Sequence, residues 1–173
     1  MNFNLERSIE VLERTPAVLR SLLAGLHDDW IMQNEGPETW NPYDVVGHLI
    51  HGEKTDWIPR MQIILSDNSD KHFVPFDRFA QYNDSKGKTL EQLLDEFSKL
   101  RRECIEVLRN QIISADDLRK EGIHPKFGHV TLQQLLSTWT VHDLNHIAQV
   151  VRVMAFQYKA AVGPWTEFLR ILQ

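Results

Sequence analysis

Apolar residues recur every three or four positions in four stretches of the chain, which is the spacing of a helix with one buried face. In the first stretch, residues 4–26, Pro16 predicts a kink or a new start, with Thr15 as an N-cap. The second stretch opens with Asn41-Pro42-Tyr43-Asp44, in which a capping residue precedes a proline and an acid. This signature predicts a helix that begins there and ends near Ser66.

Two longer helices are predicted in the second half of the chain. One follows Thr89 and ends near Asn110, with a single apolar stripe and charged residues elsewhere. The other begins at Thr131 and ends near Tyr158. Because residues 127–142 contain no Asp, Glu, Lys or Arg, we place this last helix at the centre of the fold.

The second and third helices are joined by residues 67–88, whose Asp, Asn, Ser, Lys, Gly and Pro residues predict a long loop with room for one helical turn. This loop carries aromatic anchors at Phe73, Phe76, Phe79 and Tyr82. The pattern shows neither a convincing strand nor an internal repeat. The sequence therefore predicts an all-α protein, one domain over residues 1–173, folded as an antiparallel four-helix bundle.

Composition narrows the function classes. The chain has 173 residues, of which 42% are hydrophobic and 25% charged, as in an ordinary globular domain. Its net charge of -5 argues against a nucleic-acid partner, and neither a signal peptide nor a membrane span is recognisable. Cys104 is the single cysteine, so we expect a cytoplasmic protein in which any metal would be held by His, Asp or Glu.

Histidines supply the candidate chemistry. His142 and His146 are four residues apart, so they project from one face of the last helix, one turn apart. That face also carries Leu135, Thr138, Trp139, Gln149 and Val153, which predicts that it points into the bundle. His48, two turns into the second helix between apolar neighbours, is the candidate for a third ligand, with His51 as its alternative.

Two interpretations of these histidines stay open on spacing alone. Three neutral imidazoles from two helices suit a divalent ion with open coordination positions. The alternative is three separate core histidines, each hydrogen-bonded to backbone or to Thr and Asn side chains.

Several motifs resemble those of the DinB-like superfamily, whose members include metal-dependent bacillithiol and mycothiol S-transferases. They are W-N-P-Y-D-V-V-G-H-L at 40–49, F-G-H-V-T-L-Q-Q-L-L at 127–136, H-D-L-N-H-I-A-Q-V at 142–150 and T-P-A-V-L-R-S-L-L at 15–23. The resemblance implies a four-helix bundle whose metal ligands correspond to His48, His142 and His146. It also suggests a homodimer, as do the five Trp and eight Phe of the chain.

Such a site admits more than one reaction. A divalent ion held by neutral ligands would ionise a coordinated water, giving a hydrolase, or a coordinated thiol, giving a thiol S-transferase. A general base is hard to place, because Asp143 faces away from its neighbour His142, and Glu53 and Asp56 are expected to be solvated. We therefore favour thiol transfer in detoxification or stress response, with a metal-dependent hydrolase or a non-catalytic metal-binding bundle as alternatives. Zinc is the favoured ion, with nickel next.

Three residues are candidates for binding a small-molecule substrate, and a low-molecular-weight thiol is a candidate cosubstrate. Trp139 and Gln149 flank the histidine pair, although core packing explains Trp139 equally well. Arg78, in the long loop, suits a substrate carboxylate, with a surface ion pair to Asp77 as the alternative. Cys104 is expected to be a core residue rather than a nucleophile.

Overall fold

Helices make up most of the structure, a computed structural model that describes residues 2–173. In chain order they are α1 (Leu5–Leu12), α2 (Thr15–Leu23), α3 (Asp28–Met32), α4 (Pro42–Thr55), α5 (Trp57–Leu65), α6 (Gln81–Asp84), α7 (Leu90–Asn110) and α8 (Leu132–Phe156). The bundle is built from α1 with α2, α4 with α5, α7 and α8, which confirms the predicted four-helix architecture. Among the described residues, no helix has the length and apolar character needed to cross a bilayer.

The long helices begin where the sequence places them, because their first turns are capped. Asn41 Oδ1 accepts from the Asp44 amide at 2.8 Å, and the Asp44 carboxylate accepts from the Asn41 amide at 3.3 Å. Thr89 and Thr131 form the same reciprocal motif with the residues three positions later. These contacts satisfy backbone amides that lack a partner inside the helix.

Both of the first two predicted helices are interrupted. The chain restarts at Thr15–Pro16, as the proline predicted, but Thr15 is the first helical residue and not the N-cap. Its hydroxyl donates instead to the carbonyl of Val11 at 3.3 Å. The second helix breaks at Asp56, whose φ of -110° and ψ of -72° end α4 and begin α5. This break turns Asp56 toward the functional site described below.

The prediction that the chain has no strands is wrong. Strands β1 (Glu121–His124) and β2 (Gly128–Thr131) form an antiparallel hairpin immediately before α8. Each strand has four residues, too short for an alternating pattern to be distinguished from a loop. The long loop reaches the hairpin through a bridge between His72 and Ile123, and its Phe73 is buried at 4% exposure.

The core consists of two apolar clusters. One joins α1, α5, α7 and the start of α8, and the other joins α2, α4, α7 and the later part of α8. Along α8, Trp139 belongs to the first cluster and Val150 to the second. The buried polar residues of α8, Asp143 and His146, lie between them in sequence, so the polar site is enclosed by packed apolar layers.

Candidate metal centre

The three histidines singled out in the sequence come together at one point. His48 projects from α4, and His142 and His146 project from adjacent turns of α8. Nε2 of His142 lies 3.2 Å from Nε2 of His48 and 3.1 Å from Nε2 of His146. One ligand nitrogen from each ring lies within 4.8 Å of the other two.

These separations fit ligands that share one ion. Two imidazole nitrogens at about 2.0–2.1 Å from a tetrahedral zinc ion are roughly 3.3–3.4 Å apart. Nδ1 of His146 faces Oε1 of Gln149 at 2.8 Å, which turns Nε2 of this ring toward the other two. Nδ1 of His48 and Nδ1 of His142 are buried without a hydrogen-bond partner in residues 2–173, so neither ring is explained as a hydrogen-bonded core histidine. The donor set therefore fits a divalent ion.

Burial keeps these rings neutral. It lowers the pKa of His48 to about 3 and that of His142 to about 2, in each case helped by the neighbouring histidines. Burial also lowers the pKa of His146, against the opposing effect of its hydrogen bond to Gln149. Neutral imidazole is the form that offers a lone pair to a metal. The three rings are therefore ready to bind a cation at neutral pH.

Aromatic side chains hold the histidine rings in place. The Trp40 ring lies 4.6 Å from the His48 ring and stacks at 6.2 Å on that of His146. Phe76 packs edge-on against His48 at 5.4 Å, and Trp57 packs against His142 at 5.1 Å. This apolar shell lowers the local dielectric constant, which strengthens electrostatic interactions at the site.

A buried ionic network lies behind the α8 histidines and corrects the expectation that Glu53 is solvated. Glu53 and Asp143 are not solvated: both side chains are fully buried on Arg101, which is 2% exposed. The Arg101 guanidinium also donates to the carbonyl of Leu12 at 2.7 Å, so the network joins the four long parts of the bundle. Asp143 does face away from the histidines, as predicted, because this network holds it.

Trp139 belongs to the same region. It is fully buried, stacks on Trp57 at 5.7 Å and donates from Nε1 to Glu53 at 3.2 Å. It does not line the cavity at the metal centre, which corrects the expectation that it contacts substrate. Cys104 is a buried core residue, as predicted, and burial raises the pKa of its thiol to about 12.

A cavity of about 650 Å³ opens onto the three histidines, a volume typical of small-molecule sites. Gln149 and Arg78 line it, as do Trp40, Phe76, Asp56, Arg60, His124 and Phe127. Asp56, which was also expected to be solvated, is instead buried at 8% exposure and pairs with Arg60 at 2.6 Å. Burial raises the pKa of Asp56 to about 6, although Arg60 opposes the shift.

The alternatives left open for His48 and for Arg78 are not observed among the described residues. His51 contacts Asp84 at 3.4 Å and is not part of the triad. Arg78 does not form the alternative surface ion pair with Asp77 within the described residues, because its guanidinium lies against the rings of Trp40 and Phe79.

Sequence reasoning missed Arg101 and Trp40. Arg101 lies on the apolar stripe of α7, four residues after Phe97 and three before Cys104. A single arginine at such a position signals a buried ion pair, since charged residues are rarely buried alone. Trp40 directly precedes the Asn41 cap, and nothing in that position indicated contact with His48.

Comparisons with known proteins identify a family and a shared fold. The sequence model of the DinB superfamily matches residues 11–150. A similar solved structure is that of YfiT from Bacillus subtilis, described as a probable metal-dependent hydrolase with an unusual four-helix bundle topology. The match has a TM-score of 0.71 at 21% identity and covers 85% of this chain and 83% of YfiT, which shows a shared fold. No curated protein matches the chain.

Proposed function

This chain belongs to the DinB superfamily, and on that premise we propose that it is a metal-dependent enzyme that acts on a small molecule in the 650 Å³ cavity. The observation that carries the proposal is the convergence of three neutral imidazoles on the cavity wall. Among the described residues, the cluster contains no fourth His, Cys, Asp or Glu. Structural zinc sites use four protein ligands, whereas catalytic sites keep a position for water or substrate, so this count favours catalysis over a purely structural ion.

The reaction that the geometry supports best is hydrolysis. A bound divalent ion would supply Lewis acidity and lower the pKa of a water or thiol at its open position. The sequence alone favours thiol transfer because it offers no clear general base, and Asp56 removes that reason. Asp56 lines the cavity beside Arg60, so its carboxylate is a candidate to accept a proton there. A carboxylate with a pKa of about 6 is suited to that role near neutral pH. The description of YfiT as a probable metal-dependent hydrolase points the same way.

Thiol S-transfer is the second proposal, because one feature favours it equally. The three ligands are neutral, so the site favours an anion at the ion, and a thiolate satisfies this as well as hydroxide does. We propose zinc as the ion and nickel as the alternative, since imidazole suits both.

Metal analysis tests the site. We expect about one divalent ion per chain in the wild type and loss of that ion in His48→Ala, His142→Ala and His146→Ala. His51→Ala is the matched control on α4 and should keep the ion, because His51 lies outside the triad. Full occupancy in the three variants, or loss in the control, would show that the ligands are assigned wrongly.

Two further measurements separate the reactions. Hydrolysis of a panel of nitrophenyl esters should fall at least tenfold in Asp56→Asn while metal content stays unchanged, as expected when a general base is removed. Titration of cobalt-substituted protein with 2-mercaptoethanol should give no sulfur-to-cobalt absorption band if hydrolysis is the reaction. A strong band, together with ester hydrolysis that is indifferent to Asp56→Asn, would favour thiol transfer.

A further inference from the structure

Three arginines line the cavity, and they differ in their partners. Arg60 is buried and paired with Asp56 at 2.6 Å, and Arg152 donates from Nε to Glu35 at 2.8 Å. Arg78 has neither a carboxylate within ion-pair distance nor a hydrogen-bonded acceptor among residues 2–173. It is therefore the cavity arginine whose guanidinium is available to a ligand.

The guanidinium is also held near the metal centre by aromatic rings. Its Cζ lies 5.7 Å from the Trp40 ring and 5.1 Å from that of Phe79, both within range of a cation–π interaction. The same Trp40 ring contacts His48 at 4.6 Å, so Arg78 and a ligand histidine are neighbours of one aromatic side chain. Arg78 thus lies within a small molecule's reach of the histidines.

The charges of the cavity wall also bear on which ligand the cavity favours. The cavity lining has as many acids as arginines, and the acids are Glu35, Glu38 and Asp56. A divalent ion would therefore leave the cavity with an excess of positive charge, which favours an anionic ligand. The wall is otherwise largely apolar and aromatic, with Trp40, Phe73, Phe76 and Leu135.

From these observations we infer that the substrate is a small carboxylate with an apolar or aromatic body, whose carboxylate is bound by Arg78 while its other end faces the three histidines. This inference deepens the proposed function and rests on it for the reacting end. The planar guanidinium matches a carboxylate through two parallel hydrogen bonds. Trp40 and Phe76 provide the surface against which the body of the ligand packs.

Calorimetry with 3-phenylpropionate and its uncharged amide tests the inference. Both ligands should be titrated into zinc-loaded and metal-free protein, because a carboxylate that binds the ion itself would show its preference in the loaded form alone. We expect the acid to bind about fivefold to tenfold more tightly than the amide, the modest factor reflecting the solvent exposure of Arg78. In metal-free Arg78→Gln the ratio of acid to amide affinity should fall to about one, whereas Arg78→Lys should retain part of the preference for the acid.

Arg7→Gln is the matched control, since it removes an exposed arginine of α1 that is not part of the cavity lining and should leave the ratio of acid to amide affinity unchanged. A preference that persists in Arg78→Gln, a wild type that does not distinguish acid from amide, or a wild type that binds neither would each overturn the inference. Failure of the proposed function is a separate result: a wild type that binds no zinc would refute the metal centre, while the metal-free titrations would still decide the role of Arg78.

Discussion

Removal of the Arg101 side chain is expected to be among the most destabilising single changes in this protein. Its guanidinium donates to Glu53 at 3.0 and 2.8 Å, to Asp143 at 2.5 and 3.1 Å, and to the carbonyl of Leu12 at 2.7 Å. In Arg101→Met, two fully buried carboxylates lose their counter-ion while most of the packed volume is kept. Breaking a buried ion pair by removing one partner costs about 3–5 kcal/mol of unfolding free energy.

That loss corresponds to a Tm lower by about 6–20 °C for a chain of this size. Urea unfolding followed by circular dichroism at pH 7 gives the free energy directly. The matched variant is Arg101→Met combined with Glu53→Gln and Asp143→Asn, which removes the stranded charges together with the arginine. It should recover about 2 kcal/mol relative to Arg101→Met, since it is uncompensated charge and not lost packing that dominates the cost.

The pH dependence of the stability of Arg101→Met provides a second test of the network. Burial raises the pKa of Glu53, and Arg101 opposes that shift, so the pKa of Glu53 in the folded Arg101→Met variant should rise further. The folded variant then binds a proton that the unfolded chain, with a Glu pKa near 4.5, has released. Its deficit relative to wild type should therefore shrink as the pH falls from 7 toward 5. This account of the network would be refuted if Arg101→Met lost less than about 1 kcal/mol of unfolding free energy at pH 7. It would also be refuted if the triple variant without the buried charges lost as much as Arg101→Met.

Three other predictions concern the centre, the hairpin and assembly. Gln149→Leu should weaken zinc binding about tenfold to a hundredfold in a competition titration with a chelator, because it removes the partner that orients a ligand ring; an unchanged Kd would contradict this. Gly122→Ala should lower the free energy of unfolding, measured in urea, by about 1–3 kcal/mol, because a Cβ there would lie 2.3 Å from the buried ring of Phe73. A Cβ on Gly36 would meet nothing within 4 Å, so the control Gly36→Ala should leave the free energy of unfolding nearly unchanged. We propose a homodimer, since Trp165 and Phe168 are 68% and 74% exposed; light scattering should give about twice the chain mass of 20.2 kDa, and a monomer at every concentration would refute it.

The sequence by itself determined the features that depend only on residues close together along the chain. Helix starts at Pro42, Leu90 and Leu132 follow from capping motifs completed within four residues. The single face shared by His142 and His146 follows from the helical repeat. The motifs also identified the superfamily and, with it, His48 as the third residue of the cluster.

The tertiary structure decided which side chains meet across elements. A sequence pattern shows that Glu53 and Asp56 are acids on a predicted helix. It does not show that Glu53 is buried by its ion pair with Arg101 on another helix. Nor does it show that the helix breaks at Asp56, which lines the cavity. The same holds for Trp139, whose place in the core depends on Trp57 and not on its proximity in sequence to the histidines. Helix periodicity fixes the direction of a side chain around its own axis, whereas its burial and charge partners depend on the packing of helices distant in sequence.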